Sequence, residues 1–127
     1  MLVVAAVIEK NDRVLICQRK RDSRHALKWE FPGGKVEPGE EPRAALTREL
    51  REELAIDAQI GEPLHRQDVR YGAGPVFSLH FYRVTEFSGE PENLQFERIA
   101  WEHPLRLSDY DFLEGDREFI RKLAGIT

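Results

Sequence analysis

Residues 33–56 read GGKVEPGEEPRAALTRELREELAI, and they constrain the chain more than any other stretch. Two glycines lead into a Glu37-Pro38-Gly39 turn, and the turn leads into a helix carrying Arg48, Glu49, Glu52 and Glu53. Positions 49, 52 and 53 are spaced i, i+3, i+4, which puts three carboxylates on one helical face. Like charges at i,i+4 repel by a few tenths of a kcal/mol, so something positive is expected opposite them. A hard divalent cation, Mg²⁺ or Mn²⁺, prefers oxygen ligands of this kind. The plain alternative is a solvated helix in which Arg48 and Glu52 form an i,i+4 ion pair.

The residues before the helix decide between these readings. Gly34, Glu40, Arg48, Glu49, Leu50, Glu52, Glu53 and Ile56 fit the pattern G-x5-E-x7-R-E-U-x-E-E-x-G-U, where U is apolar. This arrangement resembles the Nudix box, the signature of the Nudix hydrolases, over residues 34–56. One fixed position departs from it: Ala55 stands where the family usually has Gly. Ala in a left-handed conformation costs about 1 kcal/mol, so the helix either carries that cost or ends differently.

Length and composition bound the rest. A chain of 127 residues suffices for one domain with a proper core and is too short for two, so residues 1–127 are expected to be a single domain. With 41% hydrophobic and 33% charged residues the balance is that of an ordinary globular protein. The net charge of −4 gives no support for binding a nucleic acid polymer or an anionic membrane. A highly charged small substrate fits all the same, because a metal inverts the local field. The lone Cys17 excludes an internal disulfide and reads as a buried thiol. The apolar run at 2–8 is too short for a membrane span or a signal sequence, so a cytoplasmic protein is expected.

In chain order, the valine-rich run 2–8 reads as a strand buried on both faces, and 13–19 as its hairpin partner across a polar turn. Residues 20–28 read as a solvated basic loop. Residues 29–31 are extended, because Pro32 biases Phe31 away from helix, and 35–37 continue as a short strand. Pro42 suits the first turn of a helix that runs to about Leu54, with Leu46, Leu50 and Leu54 as its docking stripe. Residues 57–71 read as one or two strands. Residues 76–84 alternate, with Phe77, Leu79 and Phe81 on one face and Ser78, His80 and Tyr82 on the other. Residues 87–95 read as loop, 96–101 as strand, 104–112 as irregular and 116–124 as helix. Together these give an α/β fold, a sandwich of helix, mixed sheet and helix, which is also the Nudix architecture.

The resemblance implies more than the residues do alone. The run Trp29-Glu30-Phe31-Pro32-Gly33-Gly34-Lys35 looks most like the MutT and CTP-pyrophosphohydrolase branch of the family. It implies Mg²⁺-dependent hydrolysis of a nucleoside triphosphate to a monophosphate and pyrophosphate, with modified or oxidised deoxynucleotides or CTP and dCTP as substrates. Glu49, Glu52, Glu53 and the Gly33 carbonyl would hold metal. Glu49 or Glu53 would orient or deprotonate water, and Arg48 would fix a glutamate. Glu40 would bind a second metal or stand behind the ligands. Glu97 would add an acid from a later strand, with Glu92 as its substitute. Arg19 and Lys35 are candidate phosphate contacts, and Glu30 a pocket lining. Phe77 or Phe81 would stack on the base. Asp116 falls where MutT-type members read the base edge; its plain alternative is a helix N-cap.

Two other readings compete. One keeps the fold and changes the substrate to a dinucleoside polyphosphate, NADH or a nucleotide sugar. The other is a non-catalytic nucleotide-binding domain, which the intact set of box carboxylates argues against. A monomer is the expected state, with a homodimer the alternative.

Overall fold

The computed structural model describes residues 1–125; the last two residues of the expected domain lie outside them. Its centre is the strand β1 (Leu2–Lys10), joined to β2 (Arg13–Gln18) by a hairpin. The two turn residues Asn11 and Asp12 have φ of 53° and 63°. That is the primed-turn geometry whose twist matches the flanking strands, and Asn and Asp tolerate it best among residues with a side chain.

Next come β3 (Trp29–Glu30), β4 (Gly33–Lys35), α1 (Pro42–Leu54), β5 (Asp57–Gln59), β6 (Pro63–Val69) and β7 (Phe77–Val84). The chain ends with β8 (Glu86–Ser88), β9 (Arg98–Glu102), a 3-10 turn at Pro104–Asp109 and α2 (Glu114–Gly125). Seven of the described strands form one sheet in the order β3-β2-β1-β7-β6, with β4 on β1 and β9 on β2. β1 runs parallel to β7 and antiparallel to β2 and β4, so the sheet is mixed.

β1 is apolar throughout because both its faces are covered. Val4, Ala6 and Ile8 pack with Leu46, Leu50 and Leu54 of α1. Ala5 and Val7 belong to the opposite core with Phe119 and Ile120 of α2. In that second core Phe81 and Phe119 stack at 4.3 Å, and Phe31 meets Phe119 edge-on at 5.8 Å. Phe81 is fully buried, so it cannot stack on a base: its place is the α2-side core.

The boundaries differ from expectation in instructive ways. The strand expected at 35–37 lies at Gly33–Lys35, where β4 pairs with Val3, Val4 and Ala5. A Cβ on Gly33 would sit 2.0 Å from the Val4 carbonyl oxygen, so only Gly lets the strands close. Glu86–Ser88, within or beside a stretch that reads as loop, is a strand on β5; three residues are too few to display a period. α2 starts at Glu114 rather than at 116. No helix among the described residues is long and apolar enough to cross a membrane.

α1 starts with Pro42 after Glu41, whose carboxylate caps the Ala44 N–H at 3.0 Å. It ends at Ala55, which adopts φ 57° and ψ 34° and donates its N–H to the Arg51 carbonyl. The helix therefore keeps the ending that Gly usually provides and carries the strain of Ala in it. Ala55→Gly should stabilise the protein by up to about 0.5 kcal/mol, the αL relief less the added unfolded-state entropy. Urea unfolding checks this as a higher midpoint at unchanged slope.

Candidate active site

The box helix presents its charged face beside the leucine stripe, and Arg48 organises that face. Its Nε and one terminal nitrogen grip the Glu40 carboxylate at 2.9 and 3.0 Å. The other terminal nitrogen lies 3.1 Å from Glu49 and 3.4 Å from Glu52, and the Lys35 carbonyl accepts from the guanidinium at 3.3 Å. Five bonds from one planar group fix three carboxylates and a strand end. Hydrogen bonds from Arg48 hold the Glu40 carboxyl down to about 2, helped by the Glu37 amide.

Of the two places expected for Glu40, the hydrogen bonds favour the one behind the ligands. Glu40 does not join the converging carboxylates, because both its oxygens are spent on Arg48 and one also accepts the Glu37 N–H. It stands behind Glu49 and Glu52, through the arginine they share.

Glu49 and Glu53 converge on Gly33 and Gly34 at the start of β4. The Glu49 carboxyl packs on Gly34 so closely that a Cβ there would lie 2.5 Å from its carboxyl carbon. Glu53 is 6% exposed, accepts the Gly33 N–H at 3.3 Å and is hydrogen-bonded to Glu49. Burial, the bond with Glu49 and the charges of Glu49 and Glu30 push the Glu53 carboxyl far above the carboxylate range. The two carboxyls are held together in the position where a cation would relieve their repulsion.

Glu52 has its side chain 60% exposed and turned to Arg48. Glu97, one residue before β9, is paired with Arg21 at 3.4 Å. Among the described residues no three acidic, His or Cys side chains are gathered as a ready metal cluster. The donor set is all oxygen, which suits a hard divalent cation and no soft metal. The forced proximity of Glu49 and Glu53 supports that fit.

A cleft of about 280 Å³ is lined by Arg19 and Glu30 together with Leu94, Gln95 and Phe96. Arg19 donates to the Arg24 carbonyl at 2.7 Å and to Glu30 at 3.2 Å. Burial raises the Glu30 carboxyl, with Arg19 opposing. Lys35 is exposed, and what it contributes to Arg48 is its carbonyl.

Asp116 is not the N-cap of α2: it sits within the first turn, 5% exposed, with its carboxyl on the Phe31 amide. Burial and the nearby Glu30 charge push it well up. Phe77 is half-buried, 6.0 Å from the Tyr71 ring.

Sequence reasoning missed Tyr71. Its hydroxyl accepts the Gly115 N–H at 3.0 Å and its ring lies 4.7 Å from His25. It thereby ties the basic loop to the start of α2. The Gly72-Ala73-Gly74-Pro75 turn marked its neighbourhood, but nothing local marked its role.

Comparison with known proteins agrees with this geometry. The NUDIX domain model matches residues 1–123, and the chain belongs to the Nudix family. It is 40% identical over 121 residues to the CTP pyrophosphohydrolase of Escherichia coli K12, covering 88% of this chain and 87% of that protein. It is 38% identical over 126 residues to putative 8-oxo-dGTP diphosphatase 2 of Mycobacterium tuberculosis, covering 97% and 87%. The solution structure of the Escherichia coli ORF135 protein superposes with a TM-score of 0.88 at 37% identity, covering 98% of this chain and 89% of that one. The chain is a Nudix hydrolase acting on phosphoanhydride bonds. Members of the family generally need a divalent metal.

Asp116 yields a pH prediction. Its folded-state value is raised, so the folded state holds more protons than the unfolded chain. Stability then falls as pH rises above the unfolded value near 3.9. Asp116→Asn removes that loss: its urea midpoint should decline less than that of the wild type as pH rises from the acid range to neutrality. Parallel declines in the two proteins would contradict the assignment.

Proposed function

We propose that this enzyme hydrolyses nucleoside triphosphates to a monophosphate and pyrophosphate, with Mg²⁺ or Mn²⁺, removing modified or oxidised deoxynucleotides or CTP and dCTP from the pool. The observation that carries the reading is the convergence of Glu49 and Glu53 on Gly33 and Gly34 of β4, near a cleft holding Arg19 and Glu30. Relatives named for CTP and for 8-oxo-dGTP support the substrate class. We further infer a cytoplasmic monomer whose residues 1–127 work as one domain.

We infer the following division of labour. Glu49, Glu52, Glu53 and the Gly33 carbonyl would hold the metal, with Glu97 brought in from just before β9. When bound, the cation neutralises phosphate oxygens and lowers the pKa of water. Arg48 keeps Glu49 and Glu52 oriented, and Glu40 holds it from behind. Glu49 or Glu53 takes the proton from the attacking water. Arg19 and Lys35 steady the phosphates. Glu30, Phe77 and the buried Asp116 frame the base, and a protonated Asp116 can both donate and accept a hydrogen bond.

Product analysis tests the reading. Incubation with Mg²⁺ and CTP, dCTP, 5-methyl-dCTP, 5-hydroxy-dCTP, 8-oxo-dGTP, dATP, NADH and a dinucleoside tetraphosphate should give monophosphate plus pyrophosphate from at least one triphosphate. Cleavage of NADH or the tetraphosphate alone would overturn the substrate assignment.

Glu53→Gln should lower kcat by roughly 10²–10⁴ while the fold survives. Gly34→Ala should push the Glu49 carboxyl aside, raise the Mg²⁺ concentration for half-maximal rate, and reduce activity about 10²-fold. A Gly34→Ala enzyme with wild-type metal dependence would show that Glu49 does not ligate.

A further inference from the structure

Part of the cleft is lined by a segment whose side chains, Glu92 and Glu97 apart, the box chemistry does not use. Residues 92–97 run from the polar stretch after β8 back into β9, pinned at both ends by backbone bonds. The Glu92 N–H donates to the Leu54 carbonyl at 2.9 Å, the Leu94 N–H to the Glu53 carbonyl at 3.1 Å, and the Glu97 N–H to the Gln18 carbonyl at 2.8 Å. The first two satisfy carbonyls of the last α1 turn, which have no partner within the helix.

Between these pins a single side chain shapes the segment. Asn93 Oδ1 accepts the Phe96 N–H at 2.7 Å and the Gln95 N–H at 3.3 Å, while its Nδ2 donates to the Phe96 carbonyl at 2.8 Å. The consequence is a division between neighbours. Phe96 is buried in the α1-side core, whereas Leu94 is 57% exposed. Both line the cleft that also holds Arg19 and Glu30. A large apolar side chain held open by an ordered loop, facing charged groups, offers the flat contact that a nucleobase or ribose would cover.

We propose that Leu94 is the apolar contact for the nucleoside part of the substrate and that Asn93 is the positioning residue that holds it there. This rests on the nucleoside triphosphate reading above. Because the loop is pinned on the Glu53 carbonyl, the nucleoside contact is fixed in distance from the carboxylate pair, and the substrate is measured from base to phosphoanhydride.

The test separates the two ends of the substrate by product inhibition, using the monophosphate of the best triphosphate and, separately, pyrophosphate. Leu94→Ala should raise KM and the monophosphate Ki about five- to tenfold, as expected for losing one apolar contact. The pyrophosphate Ki should stay within twofold. Asn93→Ala should show the same selective loss, and Asn93→Asp, which keeps the acceptor for the Gln95 and Phe96 amides, should recover most of it. Leu94 is exposed, so its variant should fold and keeps the test decisive should Asn93→Ala be unstable.

A monophosphate Ki unchanged in Leu94→Ala overturns the inference alone. Equal weakening of monophosphate and pyrophosphate overturns it too, because the loop would then serve the metal end. A wild-type enzyme that cleaves no triphosphate overturns the reading and the inference together.

Discussion

The site depends on one guanidinium shared among several acceptors. Four glutamates crowd the start and the face of α1, and left alone they would repel one another or turn outward to water. Arg48 binds Glu40 with two bonds and reaches Glu49 and Glu52 with a third nitrogen. Its contact with the Lys35 carbonyl fastens the helix to the strand that carries the glycines. A lysine could not make this set, since an ammonium lacks the planar fork that serves several acceptors at fixed angles. The clamp leaves Glu53, one turn on from Glu49 and out of the arginine's reach, as the carboxyl that is buried and pushed up.

That arrangement is possible because the sheet holds the helix and the glycine turn at a fixed separation. β1 is packed on both sides, so neither β4 nor α1 can shift without opening a core. Gly33 lets β4 approach Val4, and Gly34 leaves the volume that the Glu49 carboxyl occupies. The glycines therefore do different things: the first is needed by the fold, the second by the site.

Much of this could be read from the chain because the box is local. Its carboxylates, arginine and glycines lie within one turn and one helix, so helical spacing alone places them. The two-sided β1 and the alternation in β7 were legible for the same reason. What escaped was long-range. Glu40 could be assigned to metal or to support only by seeing which partner took its oxygens. Asp116 could not be told from an N-cap because the start of α2 is set by Leu113 and by Tyr71, which bonds the Gly115 amide from a distant loop. β5 and β8 are each too short to show a period, and they exist because they pair with each other. Phe81 looked available for stacking because alternation tells which face a residue occupies, not whether a helix covers it.

The two ends of the cleft are held by different means, and this bears on how one box can serve different bases. The carboxylate end is fixed by side chains of a single helix on a doubly covered sheet, where any change disturbs several bonds at once. The other end is framed by the basic loop and residues 92–97, which backbone hydrogen bonds pin at Gln18, Arg19, Glu53 and Leu54. Side chains on such loops can change without breaking the bonds that hold the loops. Substrate choice can therefore drift while the phosphoanhydride chemistry stays fixed. Relatives of similar identity named for CTP and for 8-oxo-dGTP are what that separation would produce.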